Sequence, residues 1–341
     1  MEVAKRARFT IIIPAHNAER FLGRALDSIW AQTYRSFEVL VIDDGSEDET
    51  WSIARSYQLK FHPEIQLSVF QTHSGVSFAR NTGVGAAGGE YILFLDADDT
   101  YEPTALATLD KCILSNNAPD ILFSGYNRVT ESQTLIKPFS YRFPQHIGDQ
   151  LVVDYLNKVS YTHLGALCFS HMFLAKNNLC FDCSFGFAED IIFVAQAFFL
   201  AETVCNTNST IHNWTLRKGS TLYTRTTNKF SALDAIASLI PIFMSHDGLT
   251  KDLNTAIANH YSMLLLDCVL SLLWMGESIK VVRKEIECRV DWSLIPPLKE
   301  QTARTKSHIF FLRYFQWLYL SYCKCFYTPE NFRKKGKISN G

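Results

Sequence analysis

The chain holds 341 residues, 47% hydrophobic and 20% charged, with a formal net charge of −1. That balance excludes a disordered or low-complexity scaffold over most of the length and is enough for two domains. The charge is uneven: residues 299–341 carry nine lysines and arginines against two glutamates, a surplus of seven that leaves −8 for residues 1–298. A mildly acidic body with a basic tail argues against nucleic acid as the main partner and for an anionic surface near the C-terminus.

Phe9-Thr-Ile-Ile-Ile-Pro14 is a short β-branched run closed by proline, the pattern of a strand buried on both faces. Residues 18–32 space Phe21, Leu22, Ala25, Ile29 and Trp30 as a helix does. Phe37–Ile42 predicts a second buried strand, followed by the turn Asp43–Thr50. Ser46 or a neighbour is expected to cap the next helix there, with acidic residues in its first turn. A third strand is expected near 65–70, a loop running into a helix over 75–87, and a fourth strand at Tyr91–Leu95 that ends on Asp96-Ala-Asp-Asp99. This alternation predicts an α/β sheet with crossover helices. Next come a helix over 105–117, a strand at 121–124, a polar stretch to Gln150 and a mixed pattern over 151–175. The acidic pair Glu189-Asp190 then opens an apolar helix. From about residue 229 the periodicity is helical, over 232–244, 253–275, 279–289 and 307–327. A domain boundary near 225 follows, with residues 1–225 forming an α/β body and 226–341 a helical region. The charged N-terminus lacks an apolar core, and no run reaches about 18 uninterrupted apolar residues, so neither a signal peptide nor a membrane span is expected. Nine scattered cysteines, with only Cys180 and Cys183 at CxxC spacing, fit a reducing compartment and buried thiols better than a disulfide framework.

Ligands of such sheets bind beyond the carboxyl ends of the strands. The polar clusters Pro14-Ala-His-Asn17, Asp43-Asp44 and Asp96-Ala-Asp98 fall there. Each alone is ordinary turn composition; at three strand ends they point to one site. Asp96 and Asp98, one residue apart, offer hard oxygen ligands to Mg2+ or Mn2+ and leave positions for phosphate oxygens. Carboxylates so close need a cation or a basic group between them. Asp43 or Asp44 can accept a hydrogen bond from a ribose hydroxyl or a base N–H. Arg80 is a permanent cation for a diphosphate or for the acidic cluster.

In order, Ile13-Pro-Ala-His-Asn17, Val41-Ile-Asp-Asp-Gly-Ser46, Gly75-Val-Ser-Phe-Ala-Arg-Asn81, Gly89-Glu-Tyr-Ile-Leu-Phe-Leu-Asp-Ala-Asp-Asp99 and Ala188-Glu-Asp190 resemble the family 2 glycosyltransferases of GT-A fold, over residues 8–222. The resemblance implies a mostly parallel sheet flanked by helices. It also implies an inverting transfer of one sugar from a nucleotide-diphosphate donor, UDP-linked, to a glycan or lipid-linked hydroxyl in cell-surface polysaccharide synthesis. Carried over by position, Pro14, Ala15 and His16 line the base pocket, Asp43 or Asp44 contacts uracil or ribose, and Arg80 reaches the nucleotide. Asp96 and Asp98 hold Mn2+ or Mg2+, with Asp98 the more direct ligand, and Asp190 is the catalytic base. Arg217 and Ser220 are candidates for phosphate contacts and His212 for a third metal ligand. His16 stands where members often carry an aromatic residue.

Inversion needs a base on the acceptor side and charge stabilisation on the leaving side. Asp96 and Asp98 are therefore expected to converge in space with Glu189 and Asp190, and the helix N-terminus at Asp190 to keep that carboxylate ionised. A non-catalytic nucleotide-sugar-binding or scaffolding subunit is the alternative, and the pairing of Asp98 with Asp190 weighs against it. The aromatic-rich segment 307–327 and Arg333-Lys-Lys335 fit peripheral contact with an anionic membrane from the cytoplasmic side, or a helix packed on the body.

Overall fold

β1 (Phe9–Ala15) and β2 (Phe37–Asp43) are buried at every position, as their unbroken aliphatic runs predict. This computed structural model describes residues 7–63, 65–138, 144, 146–160, 162–217, 226–246, 248–295, 303–314 and 316–326. The chain forms two units, Met1–Arg217 and Lys218–Gly341.

In the first unit, β1 pairs in parallel with β2 and with β4 (Tyr91–Phe94), and β2 pairs in parallel with β3 (Gln66–Gln71). α1 (Leu22–Trp30) buries Leu22, Ala25, Leu26 and Ile29, one stripe at helical spacing, in the same core cluster as Phe9, Ile11, Val39 and Val41. α3 (Val76–Ala86) packs close to β1: a Cβ on Gly83 would fall 2.4 Å from Ile12 Cγ2. Beyond β4 the sheet becomes mixed. β8 (Leu167–Ser170) runs antiparallel to both β4 and β6 (Ile121–Thr130). β6 is parallel to β9 (Val204–Leu216), which is antiparallel to the short β5 (Thr100–Tyr101). Among the described residues the order is β3-β2-β1-β4-β8-β6-β9-β5, with β7 (Leu135–Pro138) hairpinned onto β6.

Local details depart from the sequence reading. α2 (Thr50–Phe61) starts at Thr50, so Glu47, Asp48 and Glu49 precede its first turn. The Asp48 carboxylate accepts the Thr50 N–H at 2.9 Å, whereas Ser46 Oγ accepts the Asn17 N–H at 2.9 Å. Cys180 and Cys183 are exposed, not buried. Phe181 between them takes the interior position, 1% exposed, and turns its neighbours outward.

The second unit is helical: α8 (Ser231–Met244), α9 (Lys251–Trp274), α10 (Ile279–Arg289), α11 (Ala303–Tyr314) and α12 (Gln316–Phe326). Thr250 and Ser278 cap α9 and α10 by accepting the N–H of Leu253 and Val281. α9 is long and apolar enough to cross a membrane by length and composition, and 61% of its most apolar window is buried within the fold. The aromatic segment expected as one helix over 307–327 is two helices. Ile309, Leu312 and Leu320 are buried, while Phe311 and Tyr314 are exposed. Tyr327 and Arg333–Lys335 lie outside the described residues.

Candidate functional site

The loops after β1 and β2 are laced together. Pro14 and Ala15 are buried in the strand, and the exposed His16 sets Nδ1 2.8 Å from the Asp44 carbonyl oxygen. Asn17, at φ +48°, has the left-handed backbone that asparagine tolerates, and its Oδ1 accepts the Glu47 N–H at 2.9 Å. Asp43 is fully buried and accepts from Ser46 N at 3.2 Å and Gln71 Nε2 at 3.3 Å. Asp44 is half-buried. Its Oδ1 accepts from Thr72 Oγ1 and Ser74 N, both at 2.9 Å, and from Gly75 N at 3.2 Å. Asp43 is thus an internal brace, and Asp44 is the carboxylate nearer solvent. Between them and α3, the His73 ring lies against Gly45, where a Cβ would meet His73 Nδ1 at 2.0 Å.

α3 then delivers Arg80. Its side chain is 5% exposed, and its two terminal nitrogens donate to Asp96 Oδ1 at 3.0 Å and Glu189 Oε1 at 2.9 Å. The guanidinium carbon lies 5.1 Å from the Phe181 ring centroid. Of the two roles open to Arg80, a diphosphate or the acidic cluster, its terminal nitrogens are engaged in the second, each bonded to a carboxylate. The bridge joins β4's end to α7 (Glu189–Leu200), two places 93 residues apart in sequence. Burial pushes the Asp96 carboxyl up, but the charge and hydrogen bond of Arg80, together with His163 and His212, outweigh it and hold the group below its ordinary value. Asp190 moves the other way. Burial raises it and the Asp96 charge adds to the rise, against the pull of Arg80 and the Ile191 N–H that donates to Oδ1 at 2.9 Å. The helix N-terminus was expected to keep Asp190 ionised; burial is the stronger effect. Glu189 is also raised, by burial and then by Asp190 beside it.

The other carboxylates of the β4 end have separate partners. Arg217 Nε donates to Asp98 Oδ2, and Arg24 donates to the Asp98 carbonyl oxygen at 2.9 Å. Asp99 is fully buried, with Oδ2 2.9 Å from His212 Nε2 and Oδ1 accepting the Thr215 N–H at 2.8 Å. The His163 ring stacks on His212 with centroids 5.2 Å apart. Burial lowers His212 to about 4 and lowers His163, and it raises Asp99. Nδ1 of each histidine is buried without a hydrogen-bond partner.

Two sets of residues suit a metal differently. Asp96 and Asp98 keep 38% and 20% of their side chains exposed and offer oxygens only, which fits Mg2+ or Mn2+ shared with phosphate. Asp99, His163 and His212 bring ligand atoms within 4.8 Å of one another, but Asp99 and His212 are sealed from solvent and already bonded to each other. Ser220 lies outside the described residues. In the sequence Glu189 shows only as the neighbour of Asp190, and His163 stands out by no pattern at all. An acidic pair at a helix start does not name its partner, and a lone histidine in a mixed segment carries no signal, until the fold supplies Arg80 and His212.

Residues 10–164 match the family model described as "Glycosyl transferase family 2". The glycosyltransferase GlyA of Streptococcus pneumoniae is 30% identical over 220 residues, which are 62% of this chain and 31% of that protein. The Bacillus subtilis glycosyltransferase EpsJ is 29% identical over 199 residues, 57% of each chain. The matches therefore span about a third and somewhat over half the length of these two relatives. Among solved structures, Staphylococcus aureus TarS 1–349 in complex with UDP-GlcNAc superposes with a TM-score of 0.61 at 18% identity, covering 96% of this chain and 92% of that one. The mannosyltransferase PcManGT of Pyrobaculum calidifontis, in complex with GDP-Man and Mn2+, gives 0.54 at 18% identity over 95% and 88%. With the α/β sheet and strand-end acids described above, these matches identify residues 10–164 as a family 2 glycosyltransferase domain and show that the chain has the GT-A fold of its structural neighbours.

Proposed function

We propose that the chain transfers one sugar, with inversion, from a UDP-linked donor to a glycan or lipid-linked hydroxyl in cell-surface polysaccharide synthesis, at the cytoplasmic face of a membrane. The observation that carries the reading is the Arg80 bridge, which draws Asp96 and Glu189, and with Glu189 the neighbouring Asp190, around one guanidinium. Asp190 takes the acceptor hydroxyl proton as that oxygen attacks the anomeric carbon. The bond from that carbon to the diphosphate breaks on the opposite face, and its electron pair leaves with the nucleoside diphosphate. A carboxyl raised above the usual aspartate range suits this role, since a stronger base removes an alcohol proton more readily. Asp96 and Asp98 would hold a divalent cation, which when bound stabilises charge on the departing diphosphate. Asp44, half-buried at the nucleoside end, is favoured over Asp43 for the base or ribose, with His16 beside it. Arg217, bonded to Asp98, would contact the diphosphate.

Asp190→Asn tests the reading. UDP release from a panel of UDP-glucose, UDP-galactose and UDP-N-acetylglucosamine with Mn2+ should fall by about two to four orders of magnitude, while UDP binding by calorimetry stays within about twofold. A variant that keeps its turnover and loses UDP affinity removes Asp190 from the role of base.

A further inference from the structure

α7 begins without the usual means of fixing its first turn. Its N-cap residue, Ala188, makes no side-chain capping hydrogen bond, and it sits at φ +62°, a left-handed backbone that an alanine adopts only when its surroundings impose it. The chain enters this helix from the loop that bears Cys180, Phe181 and Cys183, on the exposed side of the unit. Two attachments to α3 replace the missing cap. Asn81 binds both backbone groups of Phe181, donating from Nδ2 to its carbonyl at 2.8 Å and accepting its N–H on Oδ1 at 2.8 Å. Arg80 binds the Glu189 carboxylate at 2.9 Å and rests over the Phe181 ring. The Glu189 side chain is 12% exposed, so this ion pair is largely withdrawn from water, where a charge-assisted hydrogen bond is directional and strong.

We propose that Glu189 is the positioning residue of the active site. Through Arg80 it locks the first turn of α7 to the β4 end, and so it fixes where the Asp190 carboxylate stands relative to Asp96. It touches neither sugar nor nucleotide in this role. The inference rests on the reading of Asp190 as the base, but it makes a structural claim that can be measured apart from turnover. The relevant geometry is a matter of about an ångström, and misplacing a catalytic group by that much can cost on the order of a hundredfold in rate.

Two measurements on the full chain each decide it. In hydrogen–deuterium exchange, Glu189→Ala should speed exchange at the Ile192 amide, whose hydrogen bond runs to the Ala188 carbonyl, by about tenfold or more, with the amides of β1 and β2 unchanged. Glu189→Gln keeps an acceptor for Arg80 and should stay within about threefold of wild type. Unchanged exchange at Ile192 in Glu189→Ala overturns the proposal. In the UDP-release assay, Glu189→Ala should lose at least about tenfold in kcat with donor KM within about twofold, and Glu189→Gln should recover most of the loss. A raised donor KM with kcat retained would place Glu189 in donor binding and also overturns it. An inactive Asp190→Asn beside a fully active Glu189→Ala would reject the positioning role and leave the base intact. An active Asp190→Asn would reject the base, whatever Glu189 does to the helix.

Discussion

At the site, two aspartates meet opposite fates. Asp96 is lowered by Arg80 at 3.0 Å, and Asp190, half-buried and facing the Asp96 charge, is raised. A base works only when ionised, so raising its pKa moves the acid limb of activity upward. As pH falls through the raised value Asp190 gains a proton and turnover is lost, earlier than for an ordinary aspartate near about 3.9. The kcat/KM profile for UDP release, measured at constant Mn2+, should show an acid limb above that value which disappears in Asp190→Asn; a limb at or below it contradicts the burial argument. The chemistry-bearing types were legible beforehand, because Asp96-Ala-Asp98 and Glu189-Asp190 advertise charge at strand and helix ends. Their partners were not. Nothing in the spacing of Arg80 says that one guanidinium reaches carboxylates 16 and 109 positions away, since only the crossover of α3 over the sheet creates that meeting. His212 is the same case: it was a candidate third ligand, and it faces the buried Asp99 because β9 pairs with β5 in that register.

Most of the strands that could be read from the sequence are buried, although β3, expected near 65–70, is largely exposed. β1, β2 and β4 are buried throughout, and their runs are correspondingly uniform. β9 escaped notice because it is half-exposed over most of its length and is interrupted by Asn208 at φ +52°, which erases the alternation that marks a strand. It nevertheless carries His212, Thr215 and the approach to Arg217. Its packing against the short turn Leu164–Ala166 is tight: a Cβ on Gly165 would lie 2.5 Å from His212 Nε2. That imidazole is sealed in and bonded to Asp99, so it cannot swing away. Gly165→Ala should therefore destabilise the fold by about 1–3 kcal/mol in denaturant unfolding. A variant as stable as wild type would mean that the histidine relaxes freely.

Compositional drift toward helix places a border near residue 225, and the fold divides between Arg217 and Lys218. Each unit has a buried interior of its own, Phe9, Leu26, Val39 and Leu93 in the first and Leu239, Leu265, Val269 and Val282 in the second. Residues 1–217 expressed alone should unfold cooperatively on heating and resist limited proteolysis; a fragment digested as fast as a random coil would show that the first unit depends on the second. The Arg80 bridge has one more consequence, which concerns electroneutrality. Asp96, Asp98, Glu189 and Asp190 bring four formal negative charges, and the guanidiniums bonded to them, Arg80 and Arg217, bring two positive ones. The group is left short of neutrality by the charge of one dication. A bare pyrophosphate group approaching it meets repulsion, so an ion and a donor that arrive as a neutralised couple meet the smaller electrostatic barrier.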